Sequence, residues 1–305
     1  MDRRLLCRTL LIAWAMLAQP VWPGPSVAAD SLPNLPERPA IRAAALYMVE
    51  LKSGRVLLEK NAPRRLPPAS LTKIMTALIG LESAPLQEVV KIDHRAVVHH
   101  SSYDFKPGEE FLLRDLVTAM LVVSANDACE AVAWHIGGDD KRFVVMMNER
   151  AVRLGLKNTH FSNPCGFDAP GHYSTAADLA KLTEQALQQP FFSMMVRTLV
   201  RDISTVDGRR QMMLHSTNEL LVDPDMNGVK TGYTRKAGRC LIASMFKDAH
   251  RLLLVGLNLM DQWQQATNLL HYGHAVLQGA NDQRLSHSGE EGQAPLDKLE
   301  ESVPY

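Results

Sequence analysis

Apolar residues keep one spacing in the middle of this chain and another towards its two ends. Near the start, AALYMVELKSGRVLLEKN reads as two strands around a Lys-Ser-Gly turn. After Pro67 and Pro68, the run ASLTKIMTALI becomes helical, starting near Ser70. Across residues 114–155, RDLVTAMLVVS, DACEAVAWHIG and DKRFVVMMNERAVRLG repeat apolar positions at helix spacing. STAADLAKLTEQALQQ is a further helix, with Thr175 and Asp178 placed as a capping box. GRCLIASMFKDAHRLLLVGLNLM then predicts two long strands turning at residues 247–250, and QWQQATNLLHYGHAVLQ a last helix. Strand-like segments thus flank a helical lobe. They must meet in one sheet, which makes residues 43–278 one interwoven domain without internal repeats.

The ends differ in composition. MDRRLLCR is basic, TLLIAWAMLA is apolar and SVAAD is small, the order of a secretory signal peptide over residues 1–29. The apolar run is short for a membrane span, and no lipid-attachment cysteine follows it. Residues 30–42 are a proline-rich linker, and residues 279–305 a polar tail expected to be disordered. Of 305 residues 46% are hydrophobic, enough for a sizeable core. The 33 basic and 33 acidic residues balance, which argues against a nucleic-acid binder. Without residues 1–29 (three basic, one acidic), 30 basic and 32 acidic residues remain, a charge of −2 with no pull towards an anionic membrane. A soluble periplasmic or extracellular protein without a stable membrane anchor is expected. Cys7 leaves with the signal; Cys129, Cys165 and Cys240 are read as buried thiols, because their spacing matches no disulfide framework or zinc knuckle.

Candidate chemistry begins at Ser70 and Lys73. Residues three apart on a helix share a face, so the lysine amine can reach the serine oxygen. A lysine with a lowered pKa can accept the serine proton. Ser244 and Lys247 have the same spacing but fall in a strand, where residues three apart face opposite ways. Two other stretches stand out. Ser124-Ala125-Asn126 sits in a short loop between helical runs, where it could cap a helix or face a cleft. Lys230-Thr231-Gly232 lies in a strand-like stretch beside the terminal hairpin, offering a cation, a hydroxyl and room for close backbone approach.

Ser-x-x-Lys at a helix start, Ser-x-Asn in an interhelical loop and Lys-Thr-Gly on a late strand occur in that order. The chain resembles the serine D-Ala-D-Ala carboxypeptidases, low-molecular-mass penicillin-binding proteins, over roughly residues 43–277. The stretch FSNPCGFDAPGHYSTAADLA is also similar to one found in those enzymes. The resemblance implies an α/β (α+β) fold, an antiparallel sheet flanked by helices with an inserted helical lobe. It implies that Ser70 attacks the D-Ala-D-Ala bond of a peptidoglycan stem peptide and that Lys73 takes its proton. Ser124 and Lys230 would relay a proton to the leaving amine, and Asn126 would hold the substrate amide. Thr231, with Thr234, would grip the terminal carboxylate. The N–H groups of Ser70 and Tyr233 would form the oxyanion hole beside Gly232. No metal or cofactor is implied, and β-lactams are expected to inhibit.

The sequence departs from the family at three places. Its acidic end SHSGEEGQAPLDKLEESVPY is unlike the amphipathic anchor of two-domain members. Cys165 stands where some carboxypeptidases have a histidine. Between the last strand and last helix, where many members have a carboxylate-binding arginine, there is only Gln262. That absence keeps open a D,D-endopeptidase cleaving crosslinks. A β-lactamase is disfavoured by the lack of a Glu-x-x-Leu-Asn motif between Asn126 and Lys230. A zinc peptidase is disfavoured because His271 and His274 have no evident partner, and a non-catalytic wall-binding protein because all three motifs are intact.

Overall fold

The computed structural model describes residues 37–97 and 103–290, with side chains up to residue 279. The expected signal segment and most of the linker therefore lie outside the described residues.

Strands β1 (Ala43–Glu50) and β2 (Val56–Lys60) form the first hairpin, and β8 (Gly238–Lys247) and β9 (His250–Leu259) the last. β7 (Met226–Thr234) completes an antiparallel sheet of order β2-β1-β9-β8-β7. The two ends of the domain meet where β1 pairs with β9, from Ala43 opposite Leu259 to Glu50 opposite Leu252. Both faces of this sheet are covered, which is why RLLLVGLNL reads as a continuous apolar run rather than an alternation. Leu253, Val255 and Leu257 pack towards the helical lobe. Leu252, Leu254 and Leu259 pack with Ala266, Leu269, Leu270 and Leu277 of α7 (Gln262–Glu290), at helix spacing. α7 continues past residue 279, where the sequence predicts a disordered tail; residues 291–305 lie outside the described residues.

The lobe contains α1 (Lys73–Ser83), α2 (Leu113–Val122), α3 (Asn126–Gly137) and α4 (Asp140–Arg153). Every α1 residue from Lys73 to Gly80 is buried, so α1 is the lobe's central helix. α5 (Ala176–Leu187) is capped by Thr175, whose hydroxyl accepts from Asp178 N. The capping box is only half made, because the Asp178 carboxylate instead accepts from Asn158 N and Thr159 Oγ1. Two small hairpins went unpredicted: β3 (Val89–Lys91) with β4 (Glu110–Leu112), and β5 (Val200–Ser204) with β6 (Gln211–His215). Short α6 (Pro190–Met195) precedes β5.

Candidate active site

Segments far apart in sequence converge on a cleft of about 450 Å³ lined by Ser70, Ser124, Asn126, Thr231, Gly232 and Tyr233. Ser70 lies in a 3-10 turn, Ala69–Thr72, that runs directly into α1. Thr72 Oγ1 donates to Ala69 O at 2.8 Å and lies 2.9 Å from His172 Nε2, which braces the turn. Behind it runs the loop of residues 163–167. Gly166 has φ +91°, and a Cβ there would lie 1.9 Å from Ala69 O, so only glycine fits. In front runs β7, the sheet's edge strand. A Cβ on Gly232 would lie 3.0 Å from Ser70 N, so its absence lets strand and turn approach closely.

Lys73 is fully buried, and its Nζ has three neighbours: Ser70 Oγ at 3.0 Å, Asn126 Oδ1 at 2.8 Å and Cys165 O at 2.8 Å. Burial pushes this amine down to about 7, against the opposing pull of the Glu130 carboxylate. A neutral amine has two N–H donors and one lone pair. Asn126 Oδ1 and Cys165 O can only accept, so they take the two donors. The lone pair is left facing Ser70 Oγ, whose O–H can donate to it. The surroundings of Lys73 thus favour one protonation pattern, in which the serine proton points at a base.

Glu130 was missed from sequence. It lies on α3 and is held well above the usual carboxylate range by burial and by the neighbouring Asp140 carboxyl. Asp140 is raised too, by burial first. Because Glu130 is mostly protonated near neutrality, its pull on the Lys73 charge is weak there.

The remaining motif residues divide. Ser124 has φ +60° and lines the cleft, and no side chain caps α3, so the capping reading of Ser124 and Asn126 is corrected. Lys230 is buried and donates to Thr231 O at 3.0 Å; burial first, then the Lys73 charge, drives its pKa well below the ordinary value. Thr231 Oγ1 lies 2.6 Å from Thr217 Oγ1, a cleft residue that no motif announced. Thr234 donates to Asp168 Oδ1 at 2.6 Å and is not among the residues that line the cleft. Gln262 does line the cleft, together with Arg239.

Cys129 and Cys165 form a disulfide; only Cys240 fits the buried-thiol reading. The bridge ties α3 to the loop whose Cys165 carbonyl receives Lys73. Ser244 is buried in β8 while Lys247 pairs with Asp225 at 2.7 Å, so that second Ser-x-x-Lys forms no site. His274 has an acidic partner after all, Asp248 at 3.0 Å in the β8–β9 turn. Among the described residues no cluster of three or more His, Cys, Asp or Glu could hold a metal.

A family model described as D-alanyl-D-alanine carboxypeptidase matches residues 33–261. The chain is 36% identical over 223 residues to D-alanyl-D-alanine carboxypeptidase DacF of Bacillus subtilis, covering 71% of this chain and 57% of that one. It is 34% identical to DacD of Salmonella typhimurium, covering 93% of this chain and 75% of that one. A Streptomyces K15 DD-transpeptidase mutant superposes with a TM-score of 0.75 at 29% identity, over 78% of this chain and 100% of that one. With the sheet order, the serine–lysine turn and the three motifs in one cleft, the chain belongs to the D-alanyl-D-alanine carboxypeptidase family.

Proposed function

We propose that this protein is a serine D-Ala-D-Ala carboxypeptidase that removes the terminal D-Ala from peptidoglycan stem peptides. The observation that carries this reading is the Lys73 amine, with two carbonyl acceptors and its third contact on Ser70 Oγ. Ser70 Oγ attacks the carbonyl of the penultimate D-Ala while its proton passes to Lys73 Nζ. The oxyanion is received by the Ser70 and Tyr233 N–H groups, each worth about 2.7–4 kcal/mol to the transition state. The C–N bond then breaks, and the leaving D-Ala nitrogen takes the proton from Lys73 through Ser124, with Lys230 behind it. Water attacks the ester on Ser70 and gives a proton to Lys73 Nζ, which returns it to Ser70 Oγ as the C–O bond breaks and the shortened peptide leaves. Asn126 holds the substrate amide while fixing Lys73.

None of the residues lining this cleft is a carboxylate, which supports slow hydrolysis of a β-lactam acyl-enzyme and hence inhibition rather than β-lactamase action. Stem peptides lie outside the cytoplasmic membrane, in agreement with the signal-like start. Among the described residues no helix is long and apolar enough to cross a membrane.

The test uses an N-acyl-L-Lys-D-Ala-D-Ala peptide and a penicillin. Release of D-Ala and a covalent adduct are expected for the wild type and for Ser244→Ala, and neither for Ser70→Ala. An adduct on the Ser70→Ala protein ends the reading. A second reading, cleavage of crosslinks, is favoured by one feature. Next to the cleft, sharing Arg239 and Gln262, lies a hollow of about 390 Å³ lined also by Asp261, Trp263 and Gln264, room for a larger leaving group. Activity on crosslinked dimers without D-Ala release would select it.

A further inference from the structure

We propose that Arg239, entering from β8, reads the free C-terminal carboxylate of the substrate together with Thr231 and Gln262. The inference rests on the carboxypeptidase reading and names the group that makes it selective. By sequence, the only polar residue near the expected carboxylate position is Gln262. The fold brings an arginine there from another direction.

The placement follows from register. Tyr233 pairs with Arg239 and Thr231 with Leu241, so Arg239 is a diagonal neighbour of Thr231 on the same face of the β7–β8 hairpin. Diagonal pairs stand about 7–8 Å apart, within reach of an arginine side chain. Leu241 packs in the layer against α7, which identifies the face as the α7 side. α7 begins there with Gln262, and Arg239, Thr231 and Gln262 line the same cleft as Ser70.

The cation is also uncommitted. Among the described residues Arg239 makes no side-chain hydrogen bond or ion pair, although many of the chain's other arginines do: Arg42 to Asp261, Arg150 to Glu82, Arg210 to Glu109. Asp261 is the carboxylate of the adjoining hollow, and Arg42 occupies it at 2.7 Å. Lys230 cannot serve instead. It is buried and turned to Thr231 O. Thr234 is spent on Asp168. In the Thr217–Thr231 pair one hydroxyl donates to the other, which leaves the second proton for a ligand oxygen. A guanidinium fork beside that hydroxyl matches the two oxygens of a carboxylate.

The experiment compares each protein on two matched pairs: N-acyl-L-Lys-D-Ala-D-Ala against its C-terminal amide, and a penicillin against its methyl ester. Arg239→Ala is expected to lower kcat/KM for the free acid by about 10- to 100-fold and to change the amide by less than about twofold. Acylation by the penicillin should fall by a similar factor and by the ester hardly at all, with Arg239→Lys intermediate and the melting temperature unchanged. Equal losses on acid and neutral partners, or no loss on either, overturn the proposal. If the wild type frees no D-Ala, the carboxypeptidase reading fails; the penicillin pair still decides whether Arg239 binds the carboxylate.

Discussion

The rate at which a penicillin acylates Ser70 should rise with pH and then level off near pH 8. The cause is Lys73, whose burial places its pKa at about 7 rather than the ordinary 10.5. On the one-proton equation the neutral fraction is about 9% at pH 6 and about 91% at pH 8, a roughly tenfold rise followed by a plateau. An unshifted lysine would instead give about tenfold for every pH unit up to about pH 10. The assay is the second-order rate constant for a fluorescent penicillin between about pH 5.5 and 9.5, with intact mass as the check on stoichiometry. Lys73→Arg keeps charge and length but cannot release its proton, so acylation should drop by about 10²–10⁴ at every pH. Glu130→Gln removes the carboxylate that raises Lys73, so the midpoint can move only downward. The shift should be small, because Glu130 is itself raised and mostly protonated near neutrality. A unit slope that continues beyond pH 9, or a flat profile, would refute Lys73 as the base.

Three further outcomes are expected. Replacing Cys129 and Cys165 with serine opens a loop of sequence separation 36, which the chain-entropy model values at about 4 kcal/mol; the melting temperature should drop, and acylation should slow because Cys165 O orients Lys73. An unchanged melting temperature would contradict this. Gly166→Ala should slow acylation about a hundredfold, since its Cβ collides with Ala69 O; Gly108→Ala, also at positive φ but with open space around it, should lose only about 1 kcal/mol of stability and no activity. Equal effects of the two would remove the collision argument. Finally, the fall of the Lys73 pKa from 10.5 to about 7 leaves the unfolded chain binding more protons across that window, so stability should rise with pH from about 7 to 10, by at most about 5 kcal/mol from this group. Urea midpoints that fall over the same range would contradict the sign.

The serine–lysine turn, the interhelical loop and the late strand could be read from the chain because each is local. A helix start, a loop between two apolar runs and a strand beside a hairpin leave their marks within ten or so residues. What escaped depends on partners far away in sequence. Cys129 and Cys165 carry no framework spacing, and only the packing of α3 against the loop of residues 163–167 brings them together. Glu130 looks like any acid on an amphipathic helix until α4 brings Asp140 beside it. Thr217 and Thr231 meet through a loop that hydrogen-bonds back to Val122 O, and Arg239 turns to the cleft only through its register with Tyr233. The expected disorder from residue 279 rested on polar composition, which a helix already anchored by Leu269, Leu270 and Leu277 can outlast.

The strand β7 explains how one short motif can serve both chemistry and recognition. Its side chains alternate between faces. Gly232 meets the Ser70 turn on the lobe side, and Lys230 is buried and feels the Lys73 charge. Thr231 stands on the other face with Leu241 opposite it, towards α7, beside Arg239. Shifting the strand by one residue would exchange the two sets. The lobe would then face hydroxyl and phenol side chains, and the carboxylate side would face a buried lysine and a glycine. The register is held by the pairing from Val229 opposite Ala243 to Thr234 opposite Gly238, beginning just after an irregularity between Met226 and Val229. Substitutions on the lobe face of β7 should therefore change the rate of acylation for every substrate. Those on the α7 face should change which C-terminus is accepted and leave the proton transfer at Ser70 intact.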